Sequence, residues 1–318
     1  GPTTLYQALV HSRNLATARL ATMVGLPAIA RTVENFGIMD KMPPYYSMAL
    51  GAGETTLLRL TAAYAMLDNG GHRLLPSIID LVQDRKGQVL YQKGVNGCQT
   101  CYVQAGSRTA PETNPLYRPT SPAIGSAGFG PFAANALLYK PVGPDELVDP
   151  IADYQIVSMM QGVVQQGTGI KVAAVGKPLA GKTGTSSDWF DAWFVGFSPD
   201  LVAGVYVGFD TPRTLGDGET GGNVAAPIFR DFMADALRDM PAVSFPAPPG
   251  ASLVAVNTQS GLPTAGGDRS AMLEAFRPGT EPRTAPNPDE LLDSEERAGE
   301  NGGLPLRAVP ASGTGGLY

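Results

Sequence analysis

Ten residues, Gly176-Lys177-Pro178-Leu179-Ala180-Gly181-Lys182-Thr183-Gly184-Thr185, constrain the fold more than any other stretch, because they fit two patterns with incompatible surroundings. Read from Gly176, they satisfy G-x-x-x-x-G-K-[ST], the loop whose backbone N–H groups cradle phosphates. Such a loop must run straight into a helix N-terminus. Here Gly184 follows at once, residues 185–189 carry no helical apolar face, and no apolar strand ending in a magnesium-binding Asp precedes them. Read from Lys182, the same residues are Lys-Thr-Gly-Thr on a strand. Strand-like runs cover 179–186, 191–197 and 201–209, with Ser198-Pro199-Asp200 as a turn, and a helix follows over 225–237. Strand, hairpin and helix are what the second reading needs. In it, Lys182 and the hydroxyls of Thr183 and Thr185 hold a carboxylate along one strand edge. Gly184, lacking a side chain, lets a substrate backbone approach and pair as an added strand.

Upstream, apolar residues at helical spacing predict helices over 3–24, 27–36 and 54–68, the last stopped by Asn69-Gly70-Gly71. A hairpin is expected from 78–82 and 89–91 around Asp84-Arg85-Lys86-Gly87. Residues 94–150 mix Cys, Gly, Pro, Ser and Thr without period, as functional insertions do. Helical periodicity returns over 151–166 and ends at Gly167-Thr168-Gly169. After Pro241 one strand is expected at 252–257. Residues 281–318 hold too few apolar groups to offset their ordering entropy and read as a disordered tail. The expected organisation is a main domain over 1–245, an extension over 246–280 and that tail.

Several function classes are excluded by composition. A net charge of −6 offers no electrostatic footprint for nucleic acid, and no apolar run reaches the roughly 20 residues that span a bilayer. Cys98 and Cys101, with His11 and His72 far away, cannot complete a four-ligand zinc site. They read as a local disulfide or as two free thiols, the disulfide being favoured. No metal or cofactor is called for. His11 abuts Ser12, but neighbours on a helix point in different directions, so it reads as structural. Trp189 and Trp193 read as sheet packing. The opening Gly1-Pro2-Thr3 has no initiator Met and no secretory signal, as expected of a cut through a longer protein.

The Lys182-Thr183-Gly184-Thr185 segment does not stand alone. His11-Ser12-Arg13-Asn14 contains S-x-N, and the stretch from Thr4 to Thr17 around it resembles the class A (bifunctional) penicillin-binding proteins, the 1A family among them. So do Ala49-Leu50-Gly51 through Ala62-Ala63-Tyr64 to Asn69-Gly70-Gly71, the segment 181–197, and Gly221-Gly222-Asn223-Val224-Ala225-Ala226-Pro227 onward to Met233. The likeness runs in order over about residues 1–280.

The resemblance implies a mixed α/β fold of the penicillin-binding protein and serine β-lactamase type: an antiparallel five-stranded sheet with flanking helices, plus an all-helical part. It implies serine-type D,D-transpeptidation on the D-Ala-D-Ala ends of peptidoglycan stem peptides, with β-lactam antibiotics as ligands. Placement would be on the extracytoplasmic face of the inner membrane, in a membrane-anchored parent with a glycosyltransferase domain and other cell-wall synthesis proteins as partners. Motif by motif, Ser12 would relay a proton, Asn14 would bind the substrate amide and Lys182 would orient the carboxylate. Thr183 and Thr185 would bind that carboxylate beside Gly184, and the Thr185 N–H would form half of an oxyanion hole. The family's nucleophile lies in S-x-x-K, and no serine of this chain has lysine three positions later. The nucleophile is therefore expected upstream, and the isolated chain is expected to be inactive. Two rivals are a non-enzymatic β-lactam-sensing or peptidoglycan-binding module on the same fold, and a P-loop nucleotide-binding protein.

Overall fold

The first helical stretch is not one helix but two, and the reason is a turn that apolar spacing does not reveal. The computed structural model describes residues 3–79, 81–92, 145–265, 267–268 and 270–282. Helix α1 (Leu5–Val10) is capped by Thr4, whose hydroxyl accepts the Gln7 N–H, and helix α2 spans Asn14–Val24. Between them Ser12 adopts a left-handed backbone, φ +52°. The Arg13 N–H reaches back to Ala8 O (2.8 Å) and the Ser12 N–H to Leu9 O (3.1 Å), which is the paired bonding of a Schellman helix end. Glycine is the usual residue there; a serine in that conformation carries roughly 1–2 kcal/mol of strain.

Helix α3 (Leu26–Asn35) starts after Gly25 and ends before Gly37, both at positive φ. Helix α4 (Leu57–Asp68) is capped by Thr56 and closed by Gly70 and Gly71, as the Asn69-Gly70-Gly71 signal predicts. Strands β1 (Leu81–Gln83) and β2 (Val89–Gln92) form the expected hairpin. The Asp84 carboxylate accepts the Lys86 and Gln88 N–H groups there, and Gly87 supplies φ +80°. The first strand begins later than the sequence suggests: Ile78 is fully exposed and outside it. Most of the 94–150 insertion, with Cys98 and Cys101, and the tail from 283 lie outside the described residues.

Helix α5 (Pro150–Gln166) has Pro150 in its first turn and Asp149 as cap, accepting the Ile151 and Ala152 N–H groups at 3.1 Å each. A short 3-10 helix, Ile170–Val175, leads into β3 (Ala180–Thr185), β4 (Asp191–Ser198) and β5 (Leu201–Gly208), after which α6 covers Ala225–Ala236. The three strands form an antiparallel sheet in the order β3-β4-β5, with β3 at one edge. Among the described residues this sheet has three strands, not the five that the resemblance implies.

Strand alternation sorts the core into two layers. The cross-strand rows through Thr183, Phe194 and Val205, and through Thr185, Ala192 and Val207, face α6, where Phe194 and Phe229 meet at 4.6 Å between ring centroids. The row through Ala180, Phe197 and Val202 faces α4 and α5, packing on Tyr64, Val157 and Met160. One strand was not anticipated at all. After β6 (Ser252–Asn257), residues Ala271–Phe276 form β7 and pair with it antiparallel. This hairpin docks on α1 and α5, with Gln155 Nε2 donating to Ala275 O (2.7 Å), Thr4 Oγ1 donating to Thr258 O (2.8 Å) and Arg277 paired with Asp149 at 2.9 Å.

One buried and one half-buried carboxyl group, Asp153 and Asp68, sit within the α4–α5 layer. Asp153 on α5 is 3% exposed, and neither its Oδ1 nor that of Asp68 on α4 has a hydrogen-bond partner among the described residues. Burial, with the neighbouring Asp68 charge, pushes Asp153 up to about 8; burial, with Asp200, pushes Asp68 up to about 7. An acid whose folded pKa exceeds its unfolded value near 4 holds its proton more tightly when folded. That stabilisation is full at low pH and is lost as pH rises through about 8. Thermal denaturation of the chain should therefore show a melting temperature falling between pH 6 and pH 9, with Asp153→Asn flattening that slope and raising the value at pH 9. An unchanged slope in the variant would remove Asp153 as its cause.

Candidate active site

Strand β3 offers its free edge because of how it pairs with β4. The Ser186 N–H bonds Asp191 O at 3.1 Å, so the pairs 184/193 and 182/195 are the hydrogen-bonded ones in the same register. The intervening Thr183 and Thr185 consequently turn their backbone N–H and C=O groups away from β4, toward an edge that no described strand covers. Such an edge can accept an extended peptide as a further strand.

Side chains at β3 leave on opposite faces, so Lys182 and the two hydroxyls share the strand but not a face. Lys182 lies on the α5 face, Thr183 and Thr185 on the α6 face. They are reunited only by the length of the lysine stem. Its Nζ curls round the edge to donate to Thr183 O (2.9 Å), Thr183 Oγ1 (3.4 Å) and Ser12 Oγ (3.0 Å). No described carboxylate pairs with Lys182. Burial without a counter-charge pulls its pKa down to about 8.

Ser12 is not inside a helix, as the apolar spacing suggests, but in the turn between α1 and α2, whereas Asn14 is the first residue of α2. The left-handed turn at Ser12 ends α1, and Asn14 opens α2 with an exposed side chain. Strain at Ser12 is what directs its hydroxyl at Lys182 across 170 residues of sequence. His11, the C-terminal cap of α1, is exposed and forms no hydrogen bond with Ser12.

Two groups that sequence reasoning passed over complete the edge. The Thr168 hydroxyl lies 2.7 Å from that of Thr183, and the Gly221 N–H donates to Thr185 Oγ1 at 3.0 Å. Gly221 lies so close to the β3–β4 pair that a Cβ there would fall 2.3 Å from Trp193 O and 2.4 Å from Gly184 O. The only signals available were Gly167-Thr168-Gly169, read as a helix stop, and Gly221-Gly222, read as part of a likeness. Trp193 does pack on the sheet, 4.6 Å from Tyr206 between ring centroids. Lys177, a residue of the phosphate-loop pattern, instead donates to the Leu237 and Met240 carbonyls beyond α6. Gly181-Lys182-Thr183 lies within a strand and not at a helix N-terminus, so the phosphate-loop geometry is not present.

What the edge can do chemically is hold an anion beside an extended backbone. An ammonium and adjacent hydroxyls present donors at one point, and the outward main-chain groups of Thr185 run on from it. Comparison with known proteins places the chain. Residues 146–234 match the family model described as the penicillin binding protein transpeptidase domain. Penicillin-binding protein 1A of Rickettsia bellii is 41% identical over 278 residues, covering 87% of this chain and 32% of the relative. That of Pseudomonas aeruginosa is 33% identical, covering 87% and 34%. The chain thus spans about a third of the length of these curated relatives. The crystal structure of penicillin-binding protein 1A from Haemophilus influenzae superposes with a TM-score of 0.67 at 28% identity, over 90% of this chain and 42% of that one. By its mixed α/β fold, its sequence relatives and its family-model match, the chain belongs to the penicillin-binding protein transpeptidase family.

Proposed function

We propose that this chain supplies the carboxylate-binding and proton-relaying part of a peptidoglycan D,D-transpeptidase, in a parent protein that also carries a glycosyltransferase and a membrane anchor. The observation that carries this reading is the Lys182 ammonium, bonded at once to Ser12 Oγ and Thr183 at a free strand edge. The substrate's penultimate residue lies antiparallel to β3, bonding the outward groups of Thr183 and Thr185. Its terminal carboxylate meets Lys182 and the Thr183 hydroxyl. The Thr185 N–H donates to the carbonyl oxygen as negative charge develops there. Ser12, hydrogen-bonded to an ammonium whose pKa is near 8, passes a proton toward the departing D-Ala amine. Asn14, two residues on, takes the substrate amide. The work is done on the extracytoplasmic side, where stem peptides are found; no described helix is long and apolar enough to cross a membrane.

The attacking serine comes from an S-x-x-K segment outside these 318 residues, so this chain alone forms no acyl-enzyme. Intact-mass measurement after incubation with a fluorescent penicillin tests this. The 318-residue chain should remain unmodified, while the gene product extended upstream through S-x-x-K should gain one adduct. Acylation of the short chain would mean that one of its own serines is the nucleophile. If neither form reacts, a non-enzymatic binding module on this fold is the better account.

A further inference from the structure

Thr168 is the one side chain of the Gly167-Thr168-Gly169 loop, and everything around it holds that side chain in place. The loop is pinned to α1 by the Thr168 N–H to Val10 O bond (3.3 Å) and to α5 by the Gly169 N–H to Val163 O bond (3.0 Å). Its glycines are sterically required. A Cβ on Gly167 would lie 2.3 Å from Val10 O, and one on Gly169 would lie 3.1 Å from the Phe194 ring. From the other side Gly222 closes on the Thr168 carbonyl, 2.6 Å from where its own Cβ would be. The loop therefore cannot retreat, and the exposed Thr168 hydroxyl stays 2.7 Å from that of Thr183.

The consequence follows from counting protons. A hydroxyl has one proton and two lone pairs. Thr183 Oγ1 already faces the Lys182 ammonium at 3.4 Å, a group that only donates. Either hydroxyl can donate across that 2.7 Å; when a bound carboxylate takes the Thr183 proton, Thr168 must be the donor, and both lone pairs of Thr183 are then occupied. Without Thr168 that proton has no fixed direction. We propose that Thr168 is a positioning residue of the carboxylate site, orienting the Thr183 hydroxyl as a donor and so setting the preference for substrates that end in a free carboxylate. This rests on the transpeptidase reading above.

The test uses the upstream-extended protein and compares acylation by benzylpenicillin with acylation by its uncharged methyl ester. Thr168→Val, which keeps the shape and removes the hydroxyl, should lower the second-order rate for the acid about tenfold, the usual cost of a lost hydrogen bond to a charged group. The ester rate should stay within about twofold of wild type, so the acid-to-ester ratio collapses. Thr168→Ser should restore both rate and ratio, with all three proteins melting alike. Equal losses for acid and ester would mean that Thr168 merely supports the loop, and an unchanged acid rate would mean that Thr183 orients itself; either overturns the inference. A wild-type protein acylated by neither compound would overturn the transpeptidase reading itself, and this inference with it.

Discussion

Replacing Lys182 by methionine in the upstream-extended protein lowers the second-order rate of penicillin acylation by about 10²–10³-fold, the scale set by loss of a preorganised charge-stabilising donor. All three of the lysine's donors are committed at the site, to Ser12 Oγ, Thr183 O and Thr183 Oγ1. Methionine retains the stem that wraps the edge of β3 and removes only the charged head. What is lost is the cation for the carboxylate and the anchor of the Ser12 hydroxyl. Stability should move the other way or not at all. Burial has lowered the lysine's pKa from its usual value to about 8, so the folded state holds this proton less tightly than the unfolded chain. A base depressed on folding costs stability at pH 7, and that cost fades as pH rises from about 8 toward about 10.4. The variant should therefore melt at or above the wild-type temperature at pH 7 while acylating hardly at all. Wild-type acylation kinetics in Lys182→Met would sink the assignment. A melting point well below wild type would instead mean that the lysine holds the fold together.

Phe194→Ala should give the largest loss of stability of any single substitution considered. Phe194 is fully buried on the α6 face, directly across from Thr183 and packed against Phe229 with the rings tilted at 49° and their centroids 4.6 Å apart. Glycines surround the ring because nothing larger fits: a Cβ would approach it to 2.8 Å at Gly181, 3.0 Å at Gly196 and 3.1 Å at Gly169. Backbone cannot collapse into the space as a side chain would, so truncation leaves a cavity and costs about 3–5 kcal/mol. For a domain of this size that is a fall of roughly 6–20 °C in melting temperature. Calorimetry on the 318-residue chain measures it; a shift of a degree or two would mean that the core is far less tightly packed than its geometry indicates. Because the ring underlies both β3 and the Thr168 loop, the surviving fold should also acylate more slowly in the extended protein.

The parts of this site legible in the sequence are those whose causes are local. Lys182-Thr183-Gly184-Thr185 reads as a strand because a tight turn and two alternating runs follow within thirty residues, and the structure has β3, β4 and β5 there. Asn69-Gly70-Gly71 ends α4 and Gly87 turns the β1–β2 hairpin because glycine relieves the same steric limit wherever positive φ is needed. Ser12 is the opposite case. Apolar residues continue at helical spacing through it, no glycine marks it, and its left-handed turn exists only because the Arg13 and Ser12 N–H groups bond back to α1 while its hydroxyl meets Lys182. Strand β7 was hidden for a related reason. Ala271–Phe276 has no strand signature of its own and becomes a strand by pairing with β6.

By itself, then, the sequence determined which chemical groups are available and which short segments carry them: an ammonium, a row of hydroxyls, a glycine-punctuated strand and hairpin, and no serine followed three places on by lysine. Only the tertiary structure decided which groups meet. Lys182 and Thr183 leave opposite faces of β3 and rejoin round its edge. Thr168 reaches Thr183 because its loop is wedged between Val10 and Phe194, and Gly221 caps Thr185 because it can lie flat on the sheet. The physical reason is that strand periodicity and turn preference are properties of neighbouring residues, whereas contact between residues 15 to 170 positions apart depends on how whole layers pack, and no local preference encodes that.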